Sequence, residues 1–166
     1  MQDAVKKTLI SAAVCCCFLL AGCSDSSDQE EAQPFSVYSF SGENEYFSIS
    51  NGVIVLTSAE EIFYGGDLEE TLEAFNDITA YSVTFYVSSG GEENTLLSNS
   101  AVDKTGGTID ISGWTGQISG DILESTDVPH LLDHLYCELE TVDVNGEEHE
   151  YLLQLTVTEI TGKTDS

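Results

Sequence analysis

The sequence predicts an all-β protein, an antiparallel β-sandwich of immunoglobulin-like or jelly-roll-like type with one or two short helices. From Phe35 onward, apolar side chains recur at every second position, which is the period of a half-buried strand. Clusters of Gly, Asn and Asp divide the chain into short segments, and with 2 prolines in 166 residues the turns depend on those clusters. Many short strands at such spacing are typical of a sandwich.

The first predicted strand begins at Phe35, and the next two form a predicted hairpin. Residues 46–50 (YFSIS) and the β-branched run 53–57 (VIVLT) flank an Asn51-Gly52 dipeptide, a strong signal for a tight turn. Residues 81–88 (YSVTFYVS) form the strongest single strand signal. One face of that strand carries Tyr81, Val83, Phe85 and Val87.

The central part of the chain continues in the same way. Gly90-Gly91 ends the strong strand, and residues 94–102 are predicted to return beside it. Two further strands are predicted at residues 108–112 and 116–123, because glycines bound both segments.

Two segments have a helical pattern. Residues 67–75 (DLEETLEAF) place their apolar side chains at helical spacing, with a short strand at Leu68 followed by a loop as the alternative. Residues 127–135 can form a turn or two of helix, because Asp127 can cap it and Pro129 fits its first turn.

The last hairpin allows its register to be predicted, because only one register places its apolar side chains on one face. A two-residue Asn145-Gly146 loop mixes the faces, whereas a three-residue loop at 144–146 does not. Gly146 then takes the left-handed position that such loops need. The three-residue loop pairs Leu139 with Tyr151, Cys137 with Leu153, and Leu135 with Leu155. Cys137 is therefore predicted to point into the core.

The N-terminus is typical of a bacterial lipoprotein signal peptide. Lys6 and Lys7 precede an apolar run at residues 8–20, which is too short to span a bilayer as a helix. The small pair Ala21-Gly22 stands directly before Cys23, as in a lipobox. We expect cleavage before Cys23 and lipidation of its thiol, palmitate included, at the extracellular face of the cell membrane. An ordinary secretory signal with a chance cysteine is the alternative.

The predicted organisation is a single domain on a tether. Residues 1–22 are the signal peptide, 23–34 a flexible acidic tether that starts with the lipidated cysteine, 35–160 one sandwich domain, and 161–166 a tail. Once Cys23 is lipidated, Cys137 is the one free thiol left in the mature chain. An intramolecular disulfide is then impossible, so stability depends on the hydrophobic core.

The charge balance excludes one class of function. The chain has 30 Asp and Glu against four Lys and no Arg, a formal net charge of −26 at pH 7. Nucleic-acid binding needs cations that displace phosphate counterions, so we exclude it. Anionic lipids and wall polymers should also repel the domain. The negative charge keeps the domain soluble and away from the surface, or alternatively it binds a basic partner or divalent cations.

Two segments resemble metal sites. His130, His134 and Cys137 would share one face of a continuous helix, as zinc ligands do, but the strand predicted for Cys137 breaks that face. His130 and His134 stay as candidate ligands, and no metal site or cofactor is predicted. Residues 143–146 resemble the start of a calcium loop, yet its twelfth position is Gln154 where a glutamate is required.

No catalytic residue is predicted. Residues 116–120 (GQISG) lack the serine position of the hydrolase GxSxG pattern, and no phosphate-binding or dinucleotide motif occurs. Trp114, the one tryptophan, lies in a glycine-bounded stretch. We interpret it as a core plug over one end of the sandwich, with an exposed sugar or protein contact as the alternative.

Several motifs together resemble an uncharacterised family of small surface lipoproteins from Gram-positive bacteria. They are residues 41–44 (SGEN), 49–56 (ISNGVIVL), 61–66 (EIFYGG), 105–107 (TGG), 116–120 (GQISG) and the final hairpin. The resemblance implies a membrane-tethered extracellular domain and assigns no catalytic residues. We therefore expect a non-catalytic binding or accessory module with an extracellular protein or glycan partner. The alternative is a divalent-cation-binding or hydrolytic surface protein.

Overall fold

The computed structural model describes residues 35–71, 75–124 and 127–161, all within one compact unit, Gln33–Ser166. The prediction of an all-β fold built from antiparallel sheets is confirmed. The described residues form eleven strands: β1 (Ser36–Glu43), β2 (Phe47–Leu56), β3 (Glu61–Tyr64), β4 (Asp67–Glu70), β5 (Ile78–Ser89), β6 (Glu92–Val102), β7 (Gly113–Trp114), β8 (Gln117–Gly120), β9 (Leu135–Asp143), β10 (Glu148–Gln154) and β11 (Thr156–Glu159).

The strands form two antiparallel sheets. The larger sheet has the order β11-β1-β2-β3-β8, with β4 pairing β2 and β7 pairing β4. The smaller sheet has the order β10-β9-β5-β6. A 3₁₀ turn (Val128–His130) leads into the single-turn helix α1 (Leu131–His134), which ends where β9 begins. The predicted short helix at 127–135 is therefore confirmed.

An aromatic cluster joins the two sheets across the core. Phe40 on β1 and Phe63 on β3 come from the larger sheet, and their ring centroids lie 5.3 Å apart. Phe85 on β5 comes from the smaller sheet, with its centroid 5.9 Å from Phe40 and 5.3 Å from Phe63. All three rings are buried, so this cluster packs the two sheets against each other.

The last hairpin has the predicted register. Tyr151 lies opposite Leu139, Leu153 lies opposite Cys137, and the Leu155 N–H donates to the Leu135 carbonyl at 2.9 Å. Gly146 has the expected positive φ of 80°. Cys137 is fully buried, and burial raises the pKa of its thiol well above the usual range, so it stays protonated and unreactive.

The Asn51-Gly52 hairpin prediction is wrong, because β2 runs through this dipeptide without reversing. The reversal lies one strand earlier, where the Asn44 side-chain oxygen accepts the N–H groups of Tyr46 and Phe47, each at 2.9 Å. Asn51 has a φ of +58° at a shift in the β1–β2 register, so its left-handed backbone makes a bulge. The first half of β2 pairs with β4 and the second with β3, which keeps the strand extended.

The helix predicted at residues 67–75 is also wrong, and its stated alternative is confirmed. Asp67–Glu70 is strand β4, with Leu68 buried opposite Ile49 of β2, while residues 72–74 lie outside the described range. A neighbouring strand that offers ladder hydrogen bonds overrides the local helical spacing.

Three smaller predictions need correction. The Asp127 side chain caps no helix, because its Oδ2 accepts Asn94 Nδ2 at 2.6 Å and the Glu124 N–H at 3.1 Å. Residues 108–112 pair with no strand, although Ile111 is buried there. The strand predicted at 116–123 is shortened to β8.

Candidate functional site

The outward face of the smaller sheet collects carboxylates, and we call Glu138, Glu140, Glu148 and Glu150 the acidic face. Strands β9 and β10 contribute two each, because the inward positions between them carry the core residues. Glu140 lies directly opposite Glu150 in the ladder. Glu140, Glu148 and Glu150 line an open depression of about 490 Å³ that also includes Ala80 and Ser82 of β5. Like charges in directly opposed positions destabilise a sheet.

The crowding changes the protonation of the acidic face. Burial, followed by the charges of Glu150, Glu140 and Glu93, raises the pKa of Glu138 above its usual value. Tyr86 and Tyr136 stack on the same face with ring centroids 5.5 Å apart, and burial together with Glu93 raises the pKa of Tyr86. The negative charge is thus held here at a cost to stability.

Glu138 lies opposite Leu152, so the like charges near it are diagonal or adjacent and not directly opposed. Glu138→Gln is therefore expected to stabilise the protein at pH 7 by at most about 1 kcal/mol, the upper end for a cross-strand pair. Because the folded-state pKa of Glu138 is raised, the carboxyl favours folding below its ordinary pKa of 4.5 and loses that contribution as pH rises through the folded pKa. The gain from the substitution should therefore vanish in acid. Urea unfolding between pH 4 and 8 measures it, with Glu70→Gln on the other sheet as control. An equal gain at every pH contradicts the argument.

The outward face of the larger sheet carries the carboxylates Asp67 and Glu69 on β4, but a large part of it away from β4 is uncharged. Two adjacent rows across β11, β1, β2, β3 and β8 define what we call the apolar face. Its ten positions are Ile160, Val37, Val55, Ile62 and Ser119 in one row, and Thr158, Ser39, Val53, Tyr64 and Gln117 in the other. None of the ten is charged, although 20% of the chain is.

Trp114 lies beside the apolar face and is 61% exposed, so our interpretation of it as a core plug is wrong. Strand β7 pairs with β4 and sets Trp114 opposite Asp67, on the outward side of the sheet. Its ring stacks on Tyr64 with centroids 6.2 Å apart, and the Asp67 carboxylate accepts the Asn51 amide at 2.9 Å. The exposed-contact alternative is the one that fits this position.

The candidate ligands His130 and His134 lie close together, but Cys137 does not lie beside them. The ring centroids of His130 and His134 are 5.5 Å apart, with His130 half-buried and His134 exposed. Cys137 lies within β9, opposite Phe85 and Leu153, and is buried in the core. The three side chains therefore do not converge, because the chain leaves the helix at Leu135 and becomes extended.

A different trio of potential ligands meets at the last hairpin. One donor atom each from Asp143, Glu147 and His149 lies within 4.8 Å of the others. Backbone N–H groups of Glu147 and Asn145, with the charge of His149, lower the pKa of Asp143. The sequence pattern indicates a hairpin turn and an incomplete calcium loop at residues 143–146, and it does not predict this grouping. The three-residue loop accounts for the closeness of Asp143 and Glu147, because it pairs these two positions.

Comparison with known proteins assigns no class to this fold. No family model, no curated protein and no solved structure matches the chain. Within the described ranges, no helix is long and apolar enough to cross a membrane.

Proposed function

We propose that this protein is a membrane-anchored extracytoplasmic lipoprotein that works as a non-catalytic binding or accessory module. One observation carries the proposal, the sequence Leu20-Ala21-Gly22-Cys23 after a short basic and apolar leader. A fatty acyl anchor is worth about 0.8 kcal/mol per buried methylene, so two or three chains hold a protein permanently. The lipobox lies outside the described residues, and its role is therefore tested by experiment.

The surface of the domain supports a binding role over an enclosed reaction site. Its two sheets present broad outward faces. The smaller sheet carries the four glutamates of the acidic face, and the larger sheet carries the ten uncharged positions of the apolar face beside Asp67 and Glu69. The depression on the acidic face is open to solvent, and small substrates prefer concave sites that bury most of their surface. Broad faces suit an extracellular protein or glycan partner.

Cys23→Ala is expected to release the protein from the membrane fraction or to leave it unprocessed. The thiol is the acceptor for the lipid, and alanine offers no nucleophile. Fractionation of cells with immunoblotting measures the distribution, and mass spectrometry of the N-terminal peptide of the unsubstituted chain measures the acyl mass. Cys137→Ala, which alters the other thiol of the mature chain, should stay with the membrane. A Cys23→Ala protein that is still processed and membrane-bound contradicts the anchor.

Divalent-cation binding is a second candidate, and the grouping of Asp143, Glu147 and His149 favours it. Imidazole and carboxylate ligands suit Zn²⁺. Calorimetric titration of the protein with zinc should give one stoichiometric site and a rise in melting temperature. His149→Ala should abolish both effects, and His134→Ala should preserve them. Absence of binding, or equal loss in both variants, removes this candidate.

A further inference from the structure

The apolar face is unusual in a chain with a net charge of −26. Its first row places Ile160, Val37, Val55 and Ile62 side by side across four strands, and Ile160 is 58% exposed. Contiguous apolar patches of this kind mark surfaces that contact something other than water. Tyr64 of the second row and the exposed Trp114 beside it add two aromatic rings to this surface. Such rings favour the boundary between apolar and aqueous surroundings.

The position of the tether indicates what covers this face. The tether, residues 23–34, leads directly into Phe35. Phe35 is 60% exposed and lies two positions before Val37. The other end of the described domain returns to the same place, because the Ile160 N–H donates to the Val37 carbonyl at 2.7 Å. Twelve residues extend at most about 40 Å, so a lipid anchor at Cys23 keeps Phe35, and the edge of the apolar face at Val37, within that distance of the bilayer.

We propose that the apolar face rests on the outer surface of the lipid bilayer that anchors Cys23. This inference depends on the proposed lipid anchor and adds an orientation to it. The tether supplies a high local concentration of membrane, so a weak contact is sufficient to hold the domain down. The acidic face lies on the opposite side of the sandwich and is repelled by anionic lipid, so it is directed away from the bilayer, towards extracellular partners.

Trp114 provides the test, because it is the one tryptophan of the chain. The lipidated full-length protein is reconstituted into phosphatidylcholine vesicles that contain a doxyl-labelled phosphatidylcholine. We expect the label to quench Trp114 emission, and vesicles to lower the iodide quenching constant several-fold relative to the Cys23→Ala chain in buffer. Adding phosphatidylglycerol should weaken the lipid quenching, and salt should restore it, because the domain is acidic.

Two matched variants locate the contact. Ile160→Glu adds a charge to the apolar face, and Val102→Glu adds one to the outward side of the smaller sheet, where Val102 is 61% exposed. Both sites are exposed, so neither change should impair folding, which circular dichroism verifies. Ile160→Glu should abolish the lipid quenching of Trp114, and Val102→Glu should preserve it. Equal behaviour of the two variants overturns the proposal.

The remaining outcomes are also decisive. Unquenched Trp114 in a lipidated chain overturns the docking and leaves the anchor intact. Shielding from iodide without lipid quenching, growing with protein density, shows that a second copy covers the face, and overturns the proposal as well. A chain without acyl mass at Cys23 overturns the anchor, and the mass spectrum distinguishes that result from a failure of docking alone.

Discussion

Phe85→Ala is expected to lower the free energy of unfolding by about 3–5 kcal/mol, the range for a buried phenylalanine truncated to alanine. The Phe85 side chain is fully buried, and its ring contacts Phe40 and Phe63 of the opposite sheet. The substitution therefore removes the smaller sheet's share of the aromatic cluster and leaves a cavity between the sheets. With no disulfide in the described residues, nothing covalent compensates for this loss.

Urea unfolding monitored by circular dichroism measures the effect on the full chain. Phe35→Ala is the matched control, because Phe35 is exposed before β1 and its truncation should change stability by less than about 0.5 kcal/mol. If the Phe85→Ala protein is as stable as the control, the main contact between the sheets does not lie in the aromatic cluster.

Gly52→Ala is expected to lower the free energy of unfolding through overpacking by about 3 kcal/mol, the upper end of the usual cost. A Cβ atom added at Gly52 meets three ring atoms of Phe40 at 2.2–2.4 Å. The ring cannot turn aside freely, since it is buried and stacked on Phe63. Gly52 is therefore required so that the Phe40 ring can lie over the β2 backbone.

A double-mutant cycle separates this clash from the general cost of replacing glycine. Phe40→Leu removes the flat ring, so Gly52→Ala should destabilise the Phe40→Leu background much less than the unsubstituted protein. Urea unfolding of the four proteins gives the coupling energy. Additive effects of the two substitutions contradict the steric explanation.

The two sheet faces connect the proposals. The proposed lipid anchor at Cys23 and the proposed bilayer contact through the apolar face would together leave the acidic face as the surface presented to the outside. The raised pKa of Glu138 indicates that this face is not optimised for stability alone. Natural proteins retain such costs where a surface serves a partner. The cation candidate at Asp143, Glu147 and His149 lies on the same β9–β10 hairpin as the whole acidic face.

The sequence by itself determined the class of fold and the final hairpin. Period-two burial in β5 and β9 is a local pattern with one buried face, and a register slip would expose it, so the pairing of Leu139 with Tyr151 followed from residues 135–155 alone. The lipobox at Cys23, which predicts the membrane anchor, is likewise a local pattern, and the anchor stays a prediction.

Only the tertiary structure decided the Asn51-Gly52 bulge, the β4 strand and the exposure of Trp114. In each case pairing with another strand outweighed the local preference. β3 and β4 keep β2 extended, β2 holds Asp67–Glu70 as a strand, and β4 holds Trp114 on the outward side of the sheet. The apolar face has the same origin. Its rows unite residues from 37 to 160, and no local pattern reveals which strands a sheet will place side by side.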